Sequence, residues 1–263
     1  MSLTQAQAPK AARARRLDPA PVLLGAVIFV VAWQALVWIG GYEPWLLPGP
    51  LVVGQRFVDA WLDGTIAPHA TATLLEIVLG FTVGAGLALL VGMLLARSHF
   101  AERLLSPYLV AAQATPILAI APLIALWFGT GLLSKVLICA LIVFFPVAIA
   151  TMVGIRSVDK RLVEMARAFR ATRSQLVRQV EIPAALPAIL GGMRVGVTLA
   201  VIGAIIGEWA GGERGLGVLI NLARGSLFDT PLLFATLATI ALIGIVLYLV
   251  VVAVERRMVG ARG

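Results

Sequence analysis

The sequence predicts an all-α fold, a polytopic membrane helix bundle with six transmembrane helices. Three observations lead there. Of the 263 residues, 60% are hydrophobic and only 13% charged, about half the charged share of a soluble domain, and the mean hydropathy is +1.00. The apolar residues gather into runs close to the ~20 residues that a helix needs to cross ~30 Å of hydrocarbon. Lys and Arg collect beside alternate ends of those runs, the pattern that orients membrane spans.

In chain order, residues 1–18 are rich in Ala, Gln and Arg without apolar periodicity and read as a disordered basic tail. Lys10, Arg13, Arg15 and Arg16 then precede a first run at 22–39. That pairing has the look of an export signal, but the run is long enough to span and no small-x-small cleavage site follows, so an uncleaved span is expected. Further spans are expected at about 74–96, 107–128, 132–154, 188–208 and 232–254, within a transmembrane domain of residues 19–258 followed by a short tail at 259–263. Pro116 and Pro122 should kink the third span. Asp229 should cap the sixth, with Pro231 in its first turn. Between spans, residues 42–70 hold an amphipathic stretch around Val52, Phe57, Ala60 and Trp61, and 211–229 join a Gly-rich turn to Leu216, Leu219 and Leu222. Both segments suit a membrane surface facing an external partner, or a cap on the bundle.

Six spans put both termini on one side. Of the 21 Lys and Arg residues, all but Arg56, Lys135, Arg214 and Arg224 fall on that side, which makes the termini and the loop at 157–187 cytoplasmic by the positive-inside rule. The formal charge of +8 is therefore a matter of topology, and no nucleic-acid partner is implied. Trp38, Trp45, Trp127 and Trp209 lie near the expected outer ends, where an indole suits the interface. The single cysteine, Cys139, sits in an apolar run, so no intramolecular disulfide or metal cluster is expected.

Small residues recur every fourth position at Gly80, Gly84, Ala88 and Gly92, and again at Gly192, Gly196, Ala200 and Ala204. Such faces let helices approach closely in lipid. The first is expected to pack within the subunit; for the second, packing within the subunit and a face toward a partner copy or a central pathway are equally open. Polar groups within spans are scarce: Glu76, Gln113, Thr115 and Glu208. Intramembrane polar groups usually face a pathway or partner, although Glu76 and Glu208 lie close enough to an outer end to be hydrated there. Gln113 and Thr115 stand beside the Pro116 kink, where freed carbonyls must line protein or water.

The longest charged stretch is Asp159 to Pro187, DKRLVEMARAFRATRSQLVRQVEIPAALP. Asp159 should cap a short helix on which Leu162, Met165, Ala166 and Phe169 make one apolar stripe bordered by Lys160, Arg161, Glu164 and Arg167. Thr172 and Gln175 have capping-box spacing for a second helix, which Pro183 should end. Glu164, Ala166, the turn at Arg170, then Val180, Ile182 and Pro183 resemble the EAA loop of ABC importer permeases, with Met165 in place of the first Ala and Arg170 in place of the Gly. LLPGP at 46–50 and GEWAGGERGLGVLI at 207–220 extend the resemblance toward the branch carrying sulfonates, taurine, nitrate and thiamine precursors.

That resemblance implies a type I ABC importer permease-like fold in the inner (plasma) membrane, paired with a second permease copy, two ATP-binding cassette ATPase subunits and an external solute-binding protein. It assigns ATPase coupling to Leu162, Glu164, Met165, Ala166, Phe169, Arg170, Ile182 and Pro183. The chain has no G-x-x-x-x-G-K-[ST], no H-E-x-x-H and no G-x-S-x-G, so no cofactor and no enzymatic activity are expected of it, and ATP belongs to the partner. Two other classes stay open: an ion-coupled secondary transporter, which would use carboxylates near span centres, and a membrane assembly protein without a pathway.

Overall fold

The computed structural model describes residues 19–260, all helix and connecting turns. The expected tails at 1–18 and 261–263 lie outside the described residues. Helix α1 (Pro19–Gly40) is apolar all round, none of its span is buried, and among its contacts the Trp33 ring stacks 5.7 Å from that of Phe234 while Gln34 lies against Gly49. A short α2 (Pro50–Leu62) follows, opened by Gly49 and Pro50. Next come α3 (Ala67–Arg97), α4 (His99–Ala114), α5 (Ile117–Phe128) and α6 (Leu132–Arg156). The charged loop forms α7 (Lys160–Ala168), α8 (Arg173–Gln175) and a π-helical turn (Leu176–Glu181) that runs into α9 (Ile182–Ala210). The chain closes with α10 (Leu216–Gly225) and α11 (Thr230–Gly260).

Five of these helices are long and apolar enough to cross a membrane, and α4 with α5 makes a sixth crossing if the two count as one broken span. The third span is therefore not the single kinked helix expected over 107–128. It is two helices whose axes differ by 96°. Thr115 is extended (φ −76°, ψ 125°), the conformation that a following proline imposes, and Pro116 has no N–H with which to continue α4. Pro122, by contrast, stays within α5.

Pro183 does not end the second loop helix. It stands in the first turn of α9, so that helix continues from Arg173 to Ala210 without a stop. The widened turn before it, in which the Ile182 amide donates to Val177 O, makes room for a ring that would otherwise meet the carbonyl four residues earlier. The capping box at its start does form: the Gln175 amide donates to Thr172 Oγ1 (3.3 Å) and the Thr172 amide to Gln175 Oε1 (2.8 Å).

The core is the α3–α6–α9 triplet. A Cβ on Gly84 would come within 2.5 Å of Ala140 O, and one on Gly92 within 2.7 Å of Ala148 O, so α3 and α6 touch backbone to backbone. At Gly80 the close neighbour is instead a side chain, the Cβ of Cys139. The stripe on α9 packs against α6 too: Gly192 against Ala150, Gly196 against Val147 and Val143, with Ala200 fully buried beside Cys139. Gly192, Gly196 and Ala200 are thus helix-packing residues, as expected, but against α6 of the same subunit rather than a partner copy or the pathway. Four-residue spacing says that a face is small, not what lies against it. At the end opposite α7, called the far end below, α2 and α10 cap the bundle by burying Ala60, Leu216, Leu219 and Ala223 against Ile66 and Leu232.

Candidate functional site

The expected site residues fall into three places. At the loop end, Asp159 accepts from the Arg161 amide (2.9 Å) and starts α7. The stripe is on the outside: Leu162, Met165 and Phe169 are 43%, 54% and 81% exposed. On a helix too short and too charged to enter lipid, such a row is an apolar face that nothing among the described residues covers. Glu164 is exposed as well, and no ion pair among the described residues includes it. The helix ends in a Schellman turn: the Arg170 amide donates to Arg167 O (2.9 Å) and the Ala171 amide to Ala166 O (3.0 Å). Arg170 takes the left-handed position at φ +56°. The backbone is thus the one a glycine would favour, carried by an arginine. Ile182 and Pro183 lie apart from this face, where the loop turns into α9.

Gln113 and Thr115 come together with Pro116 and Ile117 at the α4–α5 break. With Phe145 and Pro146 of α6 and Leu199 and Ile202 of α9 they line a cleft of about 530 Å³. Thr115 Oγ1 donates to Ala111 O (2.9 Å), and the Gln113 side chain is exposed. No charged side chain lines the cleft.

Glu76 and Glu208 are elsewhere. Both are 2% exposed, inside the far end, rather than hydrated at a span terminus or set along this cleft. The physical reason is partners that sequence reading missed. Lys135 Nζ donates to Glu76 Oε1 (2.7 Å) and to Arg214 O (3.1 Å). Thr73 Oγ1 donates to Glu208 Oε1 and accepts from the Leu216 amide (2.8 Å), while Glu208 Oε2 accepts from the Gly217 amide. His69 Nδ1 lies 2.8 Å from Gly215 O. The first amides of α10 are therefore capped by side chains of α3 and α9, because Gly215 at its own cap position has none. One available signal was Lys135 itself, a lone cation a few residues inside an apolar run, at the same expected depth as two carboxylates. Nearby, Arg56 Nε bonds Asp229 Oδ2 (2.8 Å), while Asp229 Oδ1 accepts from the Leu232 amide (2.9 Å) and starts α11.

The family described as binding-protein-dependent transport system inner membrane component matches residues 84–260. The chain is 49% identical to the riboflavin transport system permease protein RibX of Chloroflexus aurantiacus, over 91% of this chain and 88% of that one. It is 38% identical to a protein of Bacillus subtilis named for aliphatic sulfonate transport, over 85% of this chain and 80% of that one. Among solved structures, an inward-facing conformation of the MetNI methionine ABC transporter superposes with a TM-score of 0.64 at 20% identity, covering 73% of this chain and 95% of that one. That last likeness is one of fold.

Proposed function

The chain belongs to the binding-protein-dependent transport system inner membrane component family, and from that premise we propose that α7 is the helix through which it couples to cytoplasmic ATPase subunits. It is a multi-pass membrane protein, the transmembrane permease subunit of an ABC importer of a small solute, and ATP hydrolysis resides in a separate subunit. The observation that carries the coupling role is the exposed Leu162, Met165 and Phe169 stripe at the end of a closely packed bundle. A rigid α3–α6–α9 core can transmit a displacement of a docked helix along its length, the usual basis of alternating access. In this reading two copies pair in the inner membrane with both termini cytoplasmic, and an external binding protein delivers the solute to the far end. Ala166→Asp tests it. A carboxylate placed in the docked face would be buried unpaired, at a cost of several kcal/mol, so the variant should lose the copurifying ATPase while its spans keep their thermal unfolding. Normal ATPase recovery and transport in that variant would remove the assignment.

The solute is proposed on a second observation, the uncharged lining of the α4–α5 cleft. Its volume falls within the ~300–1,000 Å³ range of small-molecule sites. Gln113 offers a donor–acceptor amide, Phe145 an aromatic face and Thr115 a hydroxyl, a set that suits the ring imide of a flavin-like or pyrimidine-like heterocycle. A sulfonate would have to shed water there without a cation in return. The identity to a riboflavin permease points the same way. Vesicles holding the full importer should accumulate riboflavin on addition of ATP. Accumulation of an alkanesulfonate and not riboflavin would reverse the choice of solute while leaving the permease reading intact.

A further inference from the structure

We propose that a second cleft, at the loop end between α3, α6 and the α7–α9 segment, binds the phosphate group of an anionic lipid. Arg97 is the last residue of α3 and Arg156 the last of α6. Their guanidinium groups therefore stand where the apolar part of the bundle ends, at the level of lipid headgroups. The end of α7 brings Arg167 to the same place and α8 brings Arg173, around a cleft of about 550 Å³. Two of the four arginines are held in position. Arg97 Nη2 pairs with Glu181 (2.9 Å), and Arg156 pairs with Glu102 while donating to Leu95 O (2.7 Å) and Ala96 O (3.3 Å).

Four guanidinium groups against two carboxylates leave a surplus of two positive charges, and among the described residues Arg167 and Arg173 form no ion pair. Arginine is the side chain whose planar fork of donors fits phosphate oxygens in pairs. Ala96, Ile155 and Leu176 supply the smaller, apolar part of a mainly polar lining. Anionic headgroups lie at high local concentration beside basic juxtamembrane segments.

The test is native mass spectrometry of the intact permease–ATPase complex taken from vesicles of phosphatidylcholine and phosphatidylglycerol. The wild type should retain phosphatidylglycerol, and millimolar inorganic phosphate should not displace it. Arg167→Gln with Arg173→Gln should lower the retained lipid by roughly tenfold, since each lost charge weakens attraction to an anionic headgroup. Arg167→Lys with Arg173→Lys, which keeps the charge without the fork, should retain an intermediate amount and serves where the glutamine pair folds poorly. Arg256→Gln with Arg257→Gln, at the same end but outside the cleft, should leave retention unchanged. Displacement by inorganic phosphate would overturn the lipid assignment. So would undiminished phosphatidylglycerol in the glutamine pair together with loss of the ATPase, which would make the cleft a protein-docking surface.

Discussion

Arg170 holds a left-handed backbone, φ +56°, that a side chain makes unfavourable by about 1–2 kcal/mol. The Schellman bonds from Arg170 and Ala171 to the end of α7 compensate for that strain. Arg170→Gly should keep the turn, preserve assembly with the ATPase and slow hydrogen exchange at the Ala171 amide, whereas Arg170→Val should speed it. Loss of assembly in the glycine variant would mean that the arginine itself makes the contact. A second residue-scale prediction concerns Lys135 and Glu76, whose side chains are 7% and 3% exposed and 2.7 Å apart. Lys135→Met strands a buried carboxylate and should destabilise the protein by about 3–5 kcal/mol, with Lys135→Met, Glu76→Gln recovering most of it. Thermal unfolding in detergent reads both, and an unaffected single variant would show that the pair contributes little.

At the scale of elements, the contact between α3 and α6 depends on missing side chains. Gly84→Ala would push a methyl into the Ala140 backbone and should cost about 1–3 kcal/mol as overpacking. Gly86, two residues along the same helix, has open space for 4 Å around the point where a methyl would stand, so Gly86→Ala should stabilise α3 by about 0.5–1 kcal/mol. Opposite signs from two identical substitutions two positions apart would be hard to obtain if α3 met α6 loosely. The break between α4 and α5 follows a different logic. Pro116 withholds one amide and sets Thr115 extended, and the cleft with Gln113 opens at that gap. Pro116→Ala should therefore slow solute transport without unfolding the α3–α6–α9 core, as measured by uptake and by near-ultraviolet circular dichroism.

For the whole molecule, the proposed orientation can be read with one reagent. Cys139 of α6 is fully buried against α3 and α9, so it should stay silent toward a membrane-impermeant maleimide. In intact cells Ser226→Cys, beyond α10, should label and Ser174→Cys, in the charged loop, should label only after the cells are opened. The reverse pattern would invert the topology drawn from Lys and Arg. The same bundle offers its partners two different ends: an apolar stripe on α7, and a far end closed by the Thr73, Glu208 and Lys135 network. Under the proposed coupling the two ends must respond to each other, and the closely packed triplet between them would be the means.

Length, apolar run, cap and charge placement are local quantities, and they were legible in the sequence. Asp159, Thr172 and Asp229 each start the helix that their position announces, because a cap needs only its next three residues. The stripe of Leu162, Met165 and Phe169 was legible for the same reason. What only the tertiary structure decided are the pairings between distant residues. Glu76 finds Lys135 across 59 positions and Glu208 finds Thr73 across 135, which turns expected pathway groups into an internal clamp. The stripe of Gly192 and Gly196 turned out to face α6, and Pro183 to open a helix rather than close one. Periodicity states how a face is built; which surface covers it, and how a turn widens around a proline, follows from the energy of the packed whole.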